Sequence, residues 1–486
     1  MDEIVLVSYF IALSILFIFG LHGFLLLYYH RKYKDNISEP KSELHETPLV
    51  TIQLPLYNEY YVVERLINSV CDIDYPKEKM EIQVLDDSTD ETVDLVEKIV
   101  NVKKAAGFDI EHIRRKTREG FKAGALKEGL KTAKGDFIAI FDADFIPQET
   151  FLKNTLNFFA DDKIGMVQTR WEHLNGDYSL LTRAQALALD GHFVIEQTVR
   201  NKAGFFINFN GTGGIWRKSC IEDAGNWHAD TLTEDLDLSF RAQLNGWKFI
   251  FLKDYTSPAE LPSEINALKS QQFRWTKGAI ETAKKVLPLV WKSAVPLRIK
   301  LYSTFHLTNN IVFPFILLAA ILNVPLIFIK NSGGHEIYFA FMSIFVLAFI
   351  STFLFYLYSQ KDVHPDWRKR IVLFPVFMAG SMGFALNNSR AVFEGLLNRK
   401  SEFVRTPKFK VVGETDTWIG KKYLSKKIDF AVIVELILAG YCLLGVASSI
   451  YFLEIAALPF QLLFFIGFSF VSITSLKHAF AKKVTT

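Results

Sequence analysis

Cysteine is nearly absent from this 486-residue chain, and the three present, Cys71, Cys220 and Cys442, lie far apart. That spacing fits neither a zinc ribbon nor a disulfide framework, and a reducing compartment for the polar part of the chain is the simple reading. An excess of charge of one sign is also lacking. Lysine and arginine total 55 against 52 acidic residues, a formal net charge of +3, too little to argue for a nucleic-acid partner. Internal repeats and low-complexity linkers are missing too, and the only polar connector is the stretch 30–47.

Long apolar runs, by contrast, are plentiful. Hydrophobic residues make up 50% of the chain, yet 22% is charged and the mean hydropathy is +0.17. Such a mixture suits a soluble domain joined to membrane helices, and the length predicts two or three units. The run 4–29 is long enough to cross a bilayer and ends in Tyr28, Tyr29, His30, Arg31, Lys32 and Lys34. About 20 apolar residues suffice for a span. A cleaved signal would carry its positive charge first, so 1–30 is expected to be an anchor, with the polar domain in the cytoplasm.

Four more spans fit at 301–329, 337–358, 428–450 and 455–476. The loop 330–336 is nearly neutral, whereas 361–370, 425–427 and 477–483 are strongly basic. Alternating these loops satisfies the positive-inside tendency. The run 371–386 has basic flanks on both sides, contains Gly380, Ser381 and Gly383, and leads into Arg390, Glu394 and Arg399. An interfacial or re-entrant helix on the cytoplasmic side explains it better than a span. A multi-pass protein of the plasma (inner) membrane or another cellular membrane is expected.

Between 48 and 290, β-rich runs at 49–54, 81–85, 109–113, 137–141 and 164–168 alternate with helical patterns at 60–70, 92–105, 122–131 and 150–159. That alternation predicts βαβ units and a largely parallel sheet, whose ligands bind beyond the carboxyl ends of the strands. Acidic pairs stand at those ends. Asp86-Asp87 follows one strand, and Asp142-Ala143-Asp144 follows the apolar strand 137–141. Two carboxylates one residue apart can share a hard divalent cation, Mg²⁺ or Mn²⁺, bridging a diphosphate. At the end of the first strand, Tyr57 can stack on a base and Glu59 can accept from it, although Asn58 or Glu59 can equally cap a helix.

Lys122 opens a helix beside Gly120 and Gly124, where an anion is favoured; a solvated lysine is the competing reading. Thr231-Leu232-Thr233-Glu234-Asp235-Leu236-Asp237 begins another helix, with Thr233 as its cap. A general base is needed near an acceptor hydroxyl, and Asp235 is the first choice, with Asp237 behind it. Gln271, Arg274 and Trp275 share one helical stretch, offering a cation to a diphosphate and a flat face to a sugar. The bend Asn210-Gly211-Thr212-Gly213-Gly214 allows close approach by a ligand or is a plain turn. Glu435, His306, Thr308, Asn309 and Asn310 fall within predicted spans. There they line a carbohydrate path or only join helices.

Together, 84–90, 120–126, 209–212, Asp142-Ala143-Asp144, Thr233-Glu234-Asp235 and Gln271-Gln272-Phe273-Arg274-Trp275 resemble the processive family 2 glycosyltransferases, the group of cellulose, mannan and hyaluronan synthases. The resemblance implies an α/β GT-A (nucleotide-diphospho-sugar transferase) cytoplasmic domain over 48–290. This domain would be fused to an all-α transmembrane bundle with interfacial helices over 301–486. It implies an inverting transfer from a nucleotide-sugar donor, UDP-glucose or GDP-mannose, to a growing β-glycan. Donor contacts would come from Tyr57, Glu59, Asp86, Asp87, Lys122, Asp142, Gln271 and Arg274. Asp142 and Asp144 would hold the metal, Asp235 would be the base, and Asn210 and Trp275 would meet the acceptor. Phe403, Thr406 and Lys408 resemble the gating loop of cellulose synthases within 371–427, with Arg405 where that pattern has valine. Two alternatives use parts of the same sequence: single addition to a ceramide- or polyprenyl-type lipid, and a transporter whose domain senses a nucleotide. Export partners are not specified by any motif.

Overall fold

The computed structural model describes residues 2–480 apart from 35, 37, 402, 414 and 425–428. The expected basic loop 425–427 and the end of 477–483 lie outside the described residues.

Seven strands form one sheet in the order β3-β2-β1-β4-β6-β5-β7. They are β1 Val50–Leu56, β2 Met80–Asp86, β3 Asp109–Arg114, β4 Phe137–Ile140, β5 Ile164–His173, β6 Gly214–Arg217 and β7 Lys248–Ala259. The five expected strands are all present. The sheet is parallel except at β6, which runs antiparallel to both β4 and β5. Neither β6 nor β7 was expected. β6 has four residues, and it directly follows the glycine-rich bend. In β7, Lys253, Asp254 and Pro258 break the alternation, and its register against β5 shifts between Thr169 and Arg170.

Alternation along β1 explains its double burial. Val50, Ile52 and Leu54 join one apolar cluster, while Thr51 and Gln53 point to the other face. These polar side chains are buried but paired across the register: Thr51 donates to Glu81 at 2.5 Å and Gln53 to Gln83 at 3.0 Å. A one-residue slip would break both of these cross-strand bonds, at about 0.5–1.5 kcal/mol each. The pairing therefore fixes Leu56 opposite Asp86. The chain moves outward from β1 through β2 to β3, then returns to β4 on the other side of β1. Such a reversal opens a crevice at the carboxyl ends of β1 and β4.

Among the described residues, five helices are long and apolar enough to cross a membrane: Asp2–Tyr33, Leu297–Ser332, Glu336–Val363, Phe430–Tyr451 and Leu458–Phe480. Each coincides with an expected span. The debated segment forms three short helices, Trp367–Ile371, Phe374–Gly383 and Ala385–Leu396. The apolar one has 10 residues; at about 1.5 Å per residue it rises only half the thickness of a hydrocarbon core.

Candidate active site

The crevice is lined by residues from stretches far apart in the chain. Tyr57 and Glu59 follow β1, Asp87 follows β2, and Asp142 and Asp144 follow β4. Asn210 and Gly211 come from the bend before β6, and Asp235 from the first turn of helix Glu234–Leu244. Helix Ile265–Lys292 adds Gln271, Arg274 and Trp275. Lys122, Phe403, Thr406 and Lys408 complete the wall. Every sequence-derived candidate for donor, metal, base and acceptor contacts is there except Asp86 and the fallback base Asp237.

Asp86 is a correction. It is the last residue of β2, and its carboxylate turns into the domain, 2.9 Å from His112 on β3, and accepts from the Ser88 amide at 2.8 Å. Burial raises its pKa, but the His112 and Ser88 hydrogen bonds outweigh that and leave it below the usual value. One residue later the chain leaves the strand, and Asp87 reaches the crevice, held by Arg115 through Nε at 2.9 Å. Asp237, the second candidate for a base, is also outside the crevice. It is fully buried against Arg241, with Lys285 at 3.0 Å. Thr233 makes no capping bond; its hydroxyl meets Thr282 instead.

Two glycines allow the crowding at the centre. A Cβ on Gly278 would stand 2.6 Å from the Thr233 side chain, so its absence lets helix Ile265–Lys292 press Arg274 and Trp275 towards Asp235. Gly211 has φ +81°, a left-handed conformation, and a Cβ there would lie 3.0 Å from the Asp235 carboxylate. The Gly211 carbonyl accepts from Lys122 at 2.9 Å, and Lys122 also holds Asp142 at 2.5 Å. Burial lowers the Lys122 pKa, but Asp142 and Glu234 outweigh it and leave the ammonium firmly charged. Burial, and then the Glu234 charge, push Asp235 up to about 7.

The loop carrying Phe403 closes over this centre. Phe403 stacks on Phe121 with centroids 5.6 Å apart, and the Arg274 guanidinium sits 4.5 Å above its ring. Arg274 also donates to the Val404 carbonyl at 3.1 Å. Lys408 reaches Asp144 at 2.7 Å and the Glu260 carbonyl at 2.9 Å. Both carboxylates of the Asp142–Asp144 pair are thus met by ammonium groups. Cationic charge already stands where a divalent ion would be required, and the oxygen-only donor set suits Mg²⁺ or Mn²⁺.

Sequence reasoning missed several contributors. Arg118 lies 3.4 Å above the Tyr57 ring, and Arg115 orients Asp87. His173 and Glu260 also line the crevice. A β3–helix connector rich in arginine was the one available signal for the first two. A second cavity, of 720 Å³, lies within the helical bundle. Asn210 joins the two through His192 at 3.3 Å, His192 to Glu196 at 3.0 Å, and Glu196 to His306 at 3.2 Å. His192 and Glu196 sit on a π-helical turn, Gly191–Gln197, a distortion frequent at functional sites.

Comparison with known proteins agrees with this geometry. Residues 48–278 match the family model described as "Glycosyltransferase like family 2". "Probable glucomannan 4-beta-mannosyltransferase 10" of Arabidopsis thaliana is 34% identical over 430 residues, covering 83% of this chain and 75% of that protein. "Glucomannan 4-beta-mannosyltransferase 1" of Cyamopsis tetragonoloba is 36% identical over 395 residues, covering 77% and 72%. Against "Probable glucomannan 4-beta-mannosyltransferase 7" of Oryza sativa subsp. japonica, the match is 41% over 279 residues. It spans 56% of this chain and about half, 48%, of that relative. The mannosyltransferase PcManGT from Pyrobaculum calidifontis, solved in complex with GDP-Man and Mn²⁺, superposes with a TM-score of 0.56 at 18% identity. That superposition covers 80% of this chain and 100% of that one, a likeness of fold. The chain belongs to the family 2 glycosyltransferases, within the cellulose synthase and mannan synthase-like superfamily.

Proposed function

We propose that the protein is a membrane-embedded inverting hexosyltransferase. It moves a sugar from a nucleotide-diphospho-sugar, UDP-glucose or GDP-mannose, to a growing β-glycan of glucan or mannan type. The observation that carries this reading is the convergence of Asp87, Asp142, Asp144, Asp235 and Arg274 on one crevice. The relatives named as glucomannan mannosyltransferases support it.

In this reading Asp87 and Tyr57 hold the nucleotide, while Lys122 and Arg274 face the diphosphate. Asp142 and Asp144 would hold a divalent ion, whose charge stabilises the departing diphosphate; Mn²⁺ in the PcManGT complex favours metal dependence. Asp235 takes the proton from the acceptor hydroxyl as its oxygen bonds to the anomeric carbon, and the bond to the diphosphate breaks on the opposite face. A carboxyl with a pKa near 7 is a far better base than one near 4. Trp275 and Asn210 steady the acceptor, and Phe403, Thr406 and Lys408 close over the donor. Basic residues such as Lys361, Arg368 and Arg370 favour a crevice on the cytoplasmic side of a plasma (inner) or other cellular membrane, and the shortness of Phe374–Gly383 suits a helix along that face.

The bundle cavity and its hydrogen-bonded link to Asn210 support export of the polymer through the bundle. Its many aliphatic and aromatic walls, among them Leu13, Leu16, Phe305 and Phe349, favour a second reading, single addition to a lipid acceptor. Purified protein given labelled UDP-glucose or GDP-mannose, with and without EDTA, tests the first claim. Loss of turnover in EDTA is expected, and no turnover of either donor overturns it. Product size on a gel separates polymer from single addition. Inside-out vesicles that keep all polymer on the donor side would end the export proposal.

A further inference from the structure

Behind the crevice wall a set of polar side chains ends on Asn210, and the reaction described above gives them no role. Arg200 is buried and donates to Asn208 Oδ1 at 2.5 Å. A guanidinium can only donate, so the Asn208 oxygen faces it and the Asn208 amide nitrogen faces the other way. That nitrogen donates to Asn210 Oδ1 at 2.7 Å. His192 Nε2 meets the same oxygen at 3.3 Å, while its Nδ1 stands 3.0 Å from the Glu196 carboxylate. Both partners are acceptors, so the ring donates from both nitrogens, with Glu196 as counter-charge. Burial raises the Glu196 pKa, but His192 and Arg200 outweigh it and leave the group well below its usual value.

These contacts leave the Asn210 amide one orientation. Its backbone is pinned as well, the N–H donating to the side chain of the buried Gln168 at 2.9 Å. Asn210 Nδ2, by contrast, is shielded from solvent and has no partner among the described residues. Buried polar groups are almost always paired, and Asn210 lines the crevice together with Asp235 and Trp275. The next residue is Gly211, where a Cβ would stand 3.0 Å from the Asp235 carboxylate. The unused donor and the base therefore belong to one small patch of wall.

We infer that Asn208 and His192 are positioning residues: they hold the Asn210 amide with its oxygen inward, so that its NH₂ group donates to an oxygen of the acceptor sugar next to the hydroxyl that Asp235 deprotonates. An amide is a donor in one orientation and an acceptor in the other, and a sugar hydroxyl can meet either. Fixing the amide decides which part the hydroxyl plays, and hence how the ring stands against Asp235. Such orientation is a large share of the advantage of a bound reaction over one in solution. The inference rests on the glycosyl-transfer reading and deepens it with two side chains that touch no substrate.

The test is equilibrium binding of mannotriose or cellotriose to the full chain in detergent with Mn²⁺ and GDP or UDP, followed by transfer kinetics. Acceptors deoxygenated or fluorinated in turn beside the reacting hydroxyl probe the contact, because fluorine accepts a hydrogen bond and never donates one. For the unmodified protein, one deoxy acceptor is expected to bind roughly three- to tenfold more weakly than the parent sugar, and its fluoro counterpart to recover part of that loss. Asn208→Asp keeps the shape but sets an oxygen against Asn210 Oδ1, so the amide should flip. The fluoro acceptor should then bind worse than the deoxy one. Acceptor KM should rise roughly three- to tenfold in this variant with kcat held, as for a contact made equally in ground and transition states. His192→Met should shift KM the same way, and His192→Gln, whose amide nitrogen can stand in for Nε2, should recover most of it. An unchanged order of fluoro and deoxy acceptors in Asn208→Asp overturns the inference. So does a fall in nucleotide binding and melting temperature in step with acceptor binding, the sign of a merely structural tie. Acceptor binding that follows the expected pattern without transfer from either donor would sink the glycosyltransferase reading and leave the placement of Asn210 intact. Transfer that is indifferent to these acceptors and variants would do the reverse.

Discussion

A carboxylate that takes a proton from a sugar hydroxyl gains from a raised proton affinity, provided it is ionised at the working pH. Asp235, pushed up to about 7 by burial and then by Glu234, sits at that balance. Asp235→Asn should cut turnover roughly 10²–10⁴-fold while nucleotide binding is kept, read from labelled-donor kinetics beside a binding titration. The sign of the pH dependence follows from the base being active when deprotonated. Turnover should rise from pH 6 to 8 with a midpoint near 7. Removing the neighbouring charge in Glu234→Gln lowers the Asp235 pKa, so the rising limb should move to lower pH; an unmoved limb would show that Glu234 has no part in it. The sequence made Asp235 legible because it opens a helix beside a bend that sequence alone also picked out. It could not separate Asp86 from Asp87. Adjacent residues at a strand end point to opposite sides, and which side faces the ligand depends on where β3 puts His112.

At the scale of elements, the helix that carries Gln271, Arg274 and Trp275 is tied to helix Phe430–Tyr451 by a buried ion pair. Lys269, two residues before Gln271, meets Glu435 of helix Phe430–Tyr451 at 2.8 Å, with Glu435 fully buried. Glu435→Gln leaves the ammonium buried without a counter-charge. Breaking such a pair costs about 3–5 kcal/mol, whereas replacing both partners by apolar residues is often neutral. The single variant should therefore melt well below the parent in detergent, and Lys269→Met with Glu435→Leu should recover most of the loss. Equal melting of the single variant and the parent would show the pair to be inert. The sequence marked Glu435 as an anomaly in a span without naming its partner, since 166 residues separate the two. The first five strands were legible from alternation and apolar runs. The π-helical turn Gly191–Gln197 was not, because one extra residue per turn leaves no periodic trace in seven positions.

For the molecule as a whole, synthesis and passage are separable only if the crevice and the bundle cavity have different occupants. The cavity lies among helices Asp2–Tyr33, Leu297–Ser332, Glu336–Val363 and Phe374–Gly383. Ser381, on the last of these, faces it as a small side chain. Ser381→Trp would fill part of the 720 Å³ without touching the crevice. If the glycan leaves by this route, the first few additions to a short soluble acceptor should keep their parental rate, because Asp87, Asp142, Asp144 and Asp235 in the crevice are undisturbed. Long product should then fail to accumulate, since each further sugar must push the chain against the new indole. Labelled product on a gel would shorten, and a parental melting curve would exclude misfolding, the usual hazard of overpacking. Full-length product at parental rate would mean that the polymer does not use the cavity, and would shift weight to a lipid chain as its occupant.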